Sequence, residues 1–204
     1  MGLFRRKRPR IFVQIASYRD PECQWTVKDL FEQAAHPERV FVGICWQVDE
    51  AEDADCFIEP SPRPKQTREL RVAARESKGV CWARHYAQTL YKDEEYVLMI
   101  DSHMRFAKGW DEILIQELTR CPSHKPLLTH YPPGYEPPRQ LQADAKPSVM
   151  AMRPFDQHGE IRSHGIVLAH IPDAPLRGAF VAAGVIFARA SLLVEVPYDP
   201  YMYF

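Results

Sequence analysis

The sequence predicts a single α/β domain built on a parallel sheet, and three observations predict it. Residues 11–46 read as strand, helix and strand, a βαβ unit that requires parallel pairing and a right-handed crossover. The run Tyr96-Val97-Leu98-Met99-Ile100 is apolar throughout, as a buried strand is. Asp101-Ser102-His103 then sits just past that strand's carboxyl end, the edge at which open α/β sheets bind their ligands.

Taken in order, Ile11-Phe12-Val13-Gln14-Ile15-Ala16 is the first strand and ends in the polar cluster Ser17-Tyr18-Arg19-Asp20. Asp20 is suited to cap a helix, with Pro21 at the first helical position and Glu22 in the first turn. Cys23, Val27, Leu30, Phe31 and Ala34 recur at helical spacing, which places an amphipathic helix over residues 21–35 until His36-Pro37 stops it. Residues 40–46 are the second strand. Residues 48–66, with Asp49, Glu50, Glu52, Asp53 and Asp55 followed by Pro60, Pro62 and Pro64, read as a solvated loop. A helix over 81–91 carries Ala83, Tyr86, Ala87 and Leu90 on one face and leaves Arg84 and His85 off it. Beyond the strand at 96–100, Lys108-Gly109 turns the chain into a helix whose inner face holds Trp110, Ile113, Leu114 and Glu117 or Leu118. Residues 125–130 form another strand, and fainter ones cover 166–169 and 179–188. Five prolines between residues 131 and 148 mark a long excursion with the character of a lid or an acceptor-side loop.

Composition removes several function classes. At 204 residues the chain holds one sizeable domain, and its 46% hydrophobic and 26% charged fractions are those of an ordinary globular protein. A net charge of −1 supplies no long-range field toward nucleic acid, and no nucleic-acid-binding signature is present. Cys23, Cys45, Cys56, Cys81 and Cys121 are scattered without a Cys-x-x-Cys pair, which favours reduced thiols in a cytoplasmic protein. No stretch approaches the ~20 apolar residues needed for a transmembrane segment. Arg5-Arg6-Lys7-Arg8-Pro9-Arg10 puts five cations in six residues. Residues 1–10 read as a solvated basic tail, with a weak contact to an anionic membrane surface through Arg5–Arg10 as the sharper alternative. The following apolar stretch is too short for a signal peptide, and Arg6 stands where a myristoylation signal needs Ser or Thr.

Asp101 and His103 point to the same side of an extended backbone and offer a hard oxygen and an imidazole nitrogen to one divalent cation. That mixed set suits manganese better than magnesium or calcium, which prefer oxygen shells. A metallohydrolase would need further ligands at helical spacing, such as His-Glu-x-x-His, and there is none. His130, His158 and His164 read as structural or solvent-facing.

Three motifs in fixed order carry a resemblance: Phe12-Val13-Gln14-Ile15-Ala16-Ser17-Tyr18-Arg19-Asp20, Trp82-Ala83-Arg84-His85-Tyr86-Ala87-Gln88, and the strand leading into Asp101-Ser102-His103, then Gly109-Trp110 and a helix. Together they resemble the bacterial and protist polypeptide α-N-acetylglucosaminyltransferases that glycosylate hydroxyproline. They are more distantly similar to the polypeptide N-acetylgalactosaminyltransferases, over essentially residues 11–204. The resemblance implies a GT-A fold, a Rossmann-like mixed sheet flanked by helices. It also implies UDP-N-acetylglucosamine as donor, Mn²⁺ as cofactor, a protein or glycan hydroxyl as acceptor, and retention of anomeric configuration. By family pattern Asp101 and His103 ligate the metal. Ala16, Ser17, Tyr18, Arg19, Arg84 and Ser102 serve the nucleotide, while Ala182, Ala183 and Gly184, with Asp101, face the donor sugar.

The residues themselves leave alternatives beside these roles: a core aromatic for Tyr18, a surface helix charge for Arg84, a packing seam for residues 182–184. They do not separate the donor from other UDP-hexoses, and no catalytic base is named. Relatives continue past the segment matching Pro197 to Phe204 into a Gly-Glu-Glu-like motif. The expectation is therefore a GT-A domain lacking its acceptor-side end, in which UDP-sugar and metal binding without transfer is the alternative activity.

Overall fold

The computed structural model describes residues 8–141, 146–155, 157–159 and 163–203, so Arg5, Arg6 and Lys7 of the basic tail and the terminal Phe204 lie outside the described residues. The elements in chain order are β1 (Ile11–Tyr18), α1 (Glu22–Gln33), β2 (Val40–Val48), β3 (Thr67–Ala73), α2 (Val80–Gln88), β4 (Tyr96–Ile100) and α3 (Trp110–Arg120), followed by β5 (Leu127–Thr129), β6 (Tyr135–Glu136), β7 (Gln140–Leu141), β8 (Ser148–Met152), β9 (Ser163–Val167), β10 (Val185–Arg189) and α4 (Ser191–Glu195).

The main sheet has the order β3-β2-β1-β4-β10-β5. Its first four strands are parallel, and β10 runs against both β4 and β5. Side-chain alternation assigns the faces. Ile11, Val13, Ile15, Val42, Ile44, Leu98 and Ile100 point to the layer of α1 and α3, where they meet Val27, Leu30, Trp110 and Leu118. Phe12, Val97, Met99 and Ile186 point the other way, toward Leu193 of α4, while Cys45 packs on Trp82, Ala83 and Ala87 of α2. This mixed sheet flanked by helices is the predicted class.

Several elements depart from the sequence expectation. β3 falls just after the loop assigned to 48–66; it carries Arg68, Glu69 and Arg71 in seven residues, as an exposed edge strand can, and has no apolar run to betray it. In α3 the expected inner residue Ile113 is 46% exposed, and Asp111 is buried instead. Asp111 accepts the amides of Ala35 (2.7 Å) and His36 (3.1 Å) and Arg39 Nε (2.9 Å), so the free donors past the end of α1 are satisfied by the first turn of α3. The strand expected over 179–188 begins only at Val185, and residues 182–184 form the turn that enters it. The excursion after β5 holds two small hairpins, β6–β7 and β8–β9. Among the described residues no helix is long and apolar enough to cross a membrane.

Candidate functional site

The parallel register sets Ile15 beside Ile100, so residues 16–20 and 101–103 leave the sheet on one rim. Antiparallel pairing sets Val185 opposite Ile100, which brings the turn at 182–184 to the same rim. Adjacent strands of opposite direction thus deliver an outgoing and an incoming loop to one place.

Two clusters form there. In the first, Asp20 Oδ2 accepts Ser102 Oγ at 2.5 Å and lies 2.8 Å from His103 Nδ1. Asp20 Oδ1 also accepts the Glu22 amide at 3.0 Å, so one carboxylate meets both the first residue of α1 and the rim, although Pro21 and not the expected Asp20 holds the cap position. Burial acts to raise the Asp20 pKa, but the bonds from His103, Ser102 and Glu22 outweigh it and hold the carboxylate below its ordinary value. The bond to Asp20 conversely raises the His103 pKa, against the opposing effect of burial. Thr26 of α1 fixes the loop, its hydroxyl donating to the Ser102 carbonyl at 2.6 Å and accepting the Met104 amide at 2.8 Å. The His103 side chain is 62% exposed. With Nδ1 turned to a carboxylate, Nε2 is the nitrogen that faces outward, the arrangement in which metal-binding histidines are held.

In the second cluster the Arg84 guanidinium, 4% exposed, is the hub. Nη2 donates to Asp101 Oδ1 at 3.0 Å and to the Ala183 carbonyl at 2.9 Å, and Nη1 donates to the Tyr198 hydroxyl at 3.0 Å. This burial removes the surface-charge alternative for Arg84. A Cβ on Gly184 would lie 2.9 Å from Asp101 Oδ2, so the carboxylate occupies space that only glycine leaves open. Ala182 is buried, its amide donating to Thr129 Oγ1 at 2.8 Å and its carbonyl accepting that hydroxyl at 3.1 Å. His130 follows, its amide donating to the Val185 carbonyl. Burial lowers the His130 pKa, against the opposing effect of a bond with the Ser148 backbone.

On the β1 side Ala16 packs against the α2 cluster, and Ser17 is fully buried with its carbonyl accepting Gln47 Nε2 at 3.2 Å. Tyr18 is 55% exposed, which rules out the core-aromatic alternative and leaves its ring face open at the rim. Arg19 takes a left-handed backbone conformation (φ 49°) and turns to Asp53 (2.9 Å) and Glu52 (2.6 Å), tying β1 to the loop after β2. Among the described residues no three His, Cys, Asp or Glu side chains converge as a metal cluster.

Sequence reasoning missed Asp20, Tyr198 and Gln47 as parts of this rim. For Asp20 a signal existed, because parallel β1 and β4 must end side by side. Tyr198 is 114 residues from Arg84 and had none.

The family model described as Glycosyltransferase (GlcNAc) matches residues 10–71 and 62–204. No curated protein sequence matches the chain. Among solved structures, S. aureus TarS 1-349 is similar at 14% identity, with a TM-score of 0.53 over 91% of this chain and 48% of that one. Its complex with UDP-GlcNAc gives 15% identity, a TM-score of 0.53, and coverage of 91% and 47%. A mannosyltransferase from Pyrobaculum calidifontis in complex with GDP-Man and Mn²⁺ gives 16% identity and a TM-score of 0.48 over 62% of this chain and 36% of that one, a likeness that carries no argument. The fold shared with TarS is the GT-A glycosyltransferase fold, and this chain spans about half the length of the TarS 1-349 chain it matches.

Proposed function

Because the chain belongs to the Glycosyltransferase (GlcNAc) family, we propose that it moves N-acetylglucosamine from UDP-N-acetylglucosamine to a hydroxyl of a protein or glycan, with retention and with a divalent cation, Mn²⁺ by its ligand chemistry. The observation that carries the reading is the His103–Asp20 contact of 2.8 Å beside Asp101, a carboxylate-oriented imidazole next to a second, partly exposed carboxylate. His103 and Asp101, one nitrogen and one oxygen donor, would hold a manganese ion. A cation held there supplies positive charge against the diphosphate that leaves when the glycosidic bond breaks.

The chain's own residues divide the remaining tasks. Tyr18 offers an exposed aromatic face to uracil, and the backbone of Ala16 and Ser17 forms the pocket wall beside it. Arg19 holds that wall to Glu52 and Asp53. Ser102 fixes Asp20, and through it the His103 ring. The turn at Ala183-Gly184 lets the donor sugar approach the backbone beside Asp101. No side chain is assigned as catalytic base; leaving UDP takes the acceptor proton in a front-face reaction. A cytoplasmic setting is part of this reading and rests on the scatter of the five cysteines without a Cys-x-x-Cys pair.

Calorimetric titration with UDP and Mn²⁺ tests the reading. Asp101→Ala and His103→Ala are each expected to lower UDP affinity at least about tenfold with Mn²⁺ present and to leave it unchanged in EDTA. Unchanged affinity in Mn²⁺ overturns the metal assignment. A parallel assay of sugar release from labelled UDP-N-acetylglucosamine separates transfer from binding alone.

A further inference from the structure

The polar side of α2, away from the apolar face predicted for it, is a dock for the chain's last described segment. Gln88 Nε2 donates to the Leu193 carbonyl at 2.5 Å, and Gln88 Oε1 accepts the Tyr198 amide at 3.4 Å. His85 Nδ1 lies 2.8 Å from the Tyr198 carbonyl. Gly79, at φ 99°, admits the Tyr203 carbonyl, which accepts the Cys81 amide at 3.3 Å at the start of α2. Four contacts along one helix thus moor residues 193–203, and Tyr198 is held by its backbone on both sides.

That mooring places the Tyr198 ring 5.6 Å from the Arg84 guanidinium carbon, with the hydroxyl accepting Nη1 at 3.0 Å. A guanidinium is planar, so fixing one Nη fixes the other. Its Nη2 is the atom that bridges Asp101 Oδ1 to the Ala183 carbonyl. With Oδ1 held, the carboxylate plane is set and Oδ2 turns to the space beside Gly184. Arg84 is buried, and its guanidinium is engaged by Tyr198, Asp101 and Ala183. It is a strut between the metal strand, the sugar turn and the C-terminal segment.

We propose that Tyr198 is a positioning residue for the metal carboxylate: through Arg84 it orients Asp101, so that docking of residues 193–203 on α2 tunes cation binding at a rim to which Tyr198 contributes no ligand. This rests on the assignment of Asp101 to the metal. The phenol oxygen, not the ring, is the operative group.

Mn²⁺ affinity is read by electron paramagnetic resonance of the free ion titrated into the 204-residue chain with UDP present. Tyr198→Phe is expected to weaken Mn²⁺ binding about tenfold, the usual range for a group one shell beyond the ligands, with UDP affinity in EDTA at the wild-type value and the thermal midpoint lowered only as the loss of one buried hydrogen bond requires. Arg84→Lys, which keeps charge but cannot bridge two oxygens, is expected to weaken it at least as much. In an Asp101→Asn background Tyr198→Phe is expected to add nothing, because both act through one carboxylate. Wild-type Mn²⁺ affinity in Tyr198→Phe overturns the proposal, as does a full tenfold effect in the Asp101→Asn background. Asp101→Asn alone tells the two failures apart. If it weakens Mn²⁺ and Tyr198→Phe does not, only the strut is wrong; if it leaves Mn²⁺ affinity unchanged, the metal assignment fails and the strut with it.

Discussion

The two halves of the main sheet are made in different ways. The β1–β4 half is parallel, its central strands are buried on both faces, and successive elements lie side by side in space. In the β5–β10 half, β10 reaches its place only after a long excursion from β5, whose small hairpins are largely exposed, with Ile166 in β9 45% open. In the first half, position follows from burial of aliphatic side chains. In the second, burial of Ile186, Phe187 and Leu193 is joined by side-chain hydrogen bonds from the first, Arg84 to Ala183 and Gln88 to Leu193 and Tyr198. The rim site lies on the seam, which is why its residues come from both.

Substitutions that remove apolar contacts sharpen the contrast most. Phe12→Ala in β1, fully buried against Gly43 of β2 and the Tyr91 ring, is expected to cost about 3–5 kcal/mol in urea unfolding, whereas Ile166→Ala in β9 stays within about 0.5 kcal/mol. Equal costs would break the distinction. Gln88→Ala removes two mooring bonds and is expected to cost about 1 kcal/mol globally. Its clearer mark is hydrogen exchange, with protection falling across residues 191–203 while β1 and β4 keep theirs; uniform loss would show that the halves do not open separately.

The smallest effect is expected at Asp53. Its carboxylate accepts the Asp49 amide at 2.7 Å, the first cause of a lowered pKa, and burial opposes that shift while Arg19 adds to it. A carboxylate whose folded pKa is depressed stabilises above its unfolded value, about 4, and loses that contribution as pH falls through the folded value. The difference in thermal midpoint between wild type and Asp53→Asn is therefore expected to be full at neutral pH and to close below about pH 4. A gap that persists in acid would show that the loop is held by packing, not by this ion pair.

Sequence legibility follows the same division. β1, α1, β2 and β4 are readable because burial on two faces forces apolar runs, and buried helices keep their period. β3 is not, since this edge strand carries Arg68, Glu69 and Arg71 within seven residues and has no apolar run. Residues 182–184 read as strand because small apolar residues precede Val185 without a break; only the pairing of Ala182 with Thr129 shows a turn. Arg84 and His85 are correctly off the apolar face of α2, yet no local pattern tells a polar face that meets water from one that meets the distant end of the chain. At the rim, the end of β4 announces Asp101 and His103 as neighbours of the cleft, while the second duty of Asp20 is hidden behind an ordinary helix start.

The opposed direction of β10 has a consequence for how such a molecule can vary. Gly184 faces Asp101 through a ladder anchored at Val185 and Ile100, and ladder register does not depend on how much chain intervenes. Residues 131–181 can be lengthened, shortened or rewritten while those two stay opposite each other. Novelty in what is recognised outside the cleft is thereby uncoupled from the geometry within it.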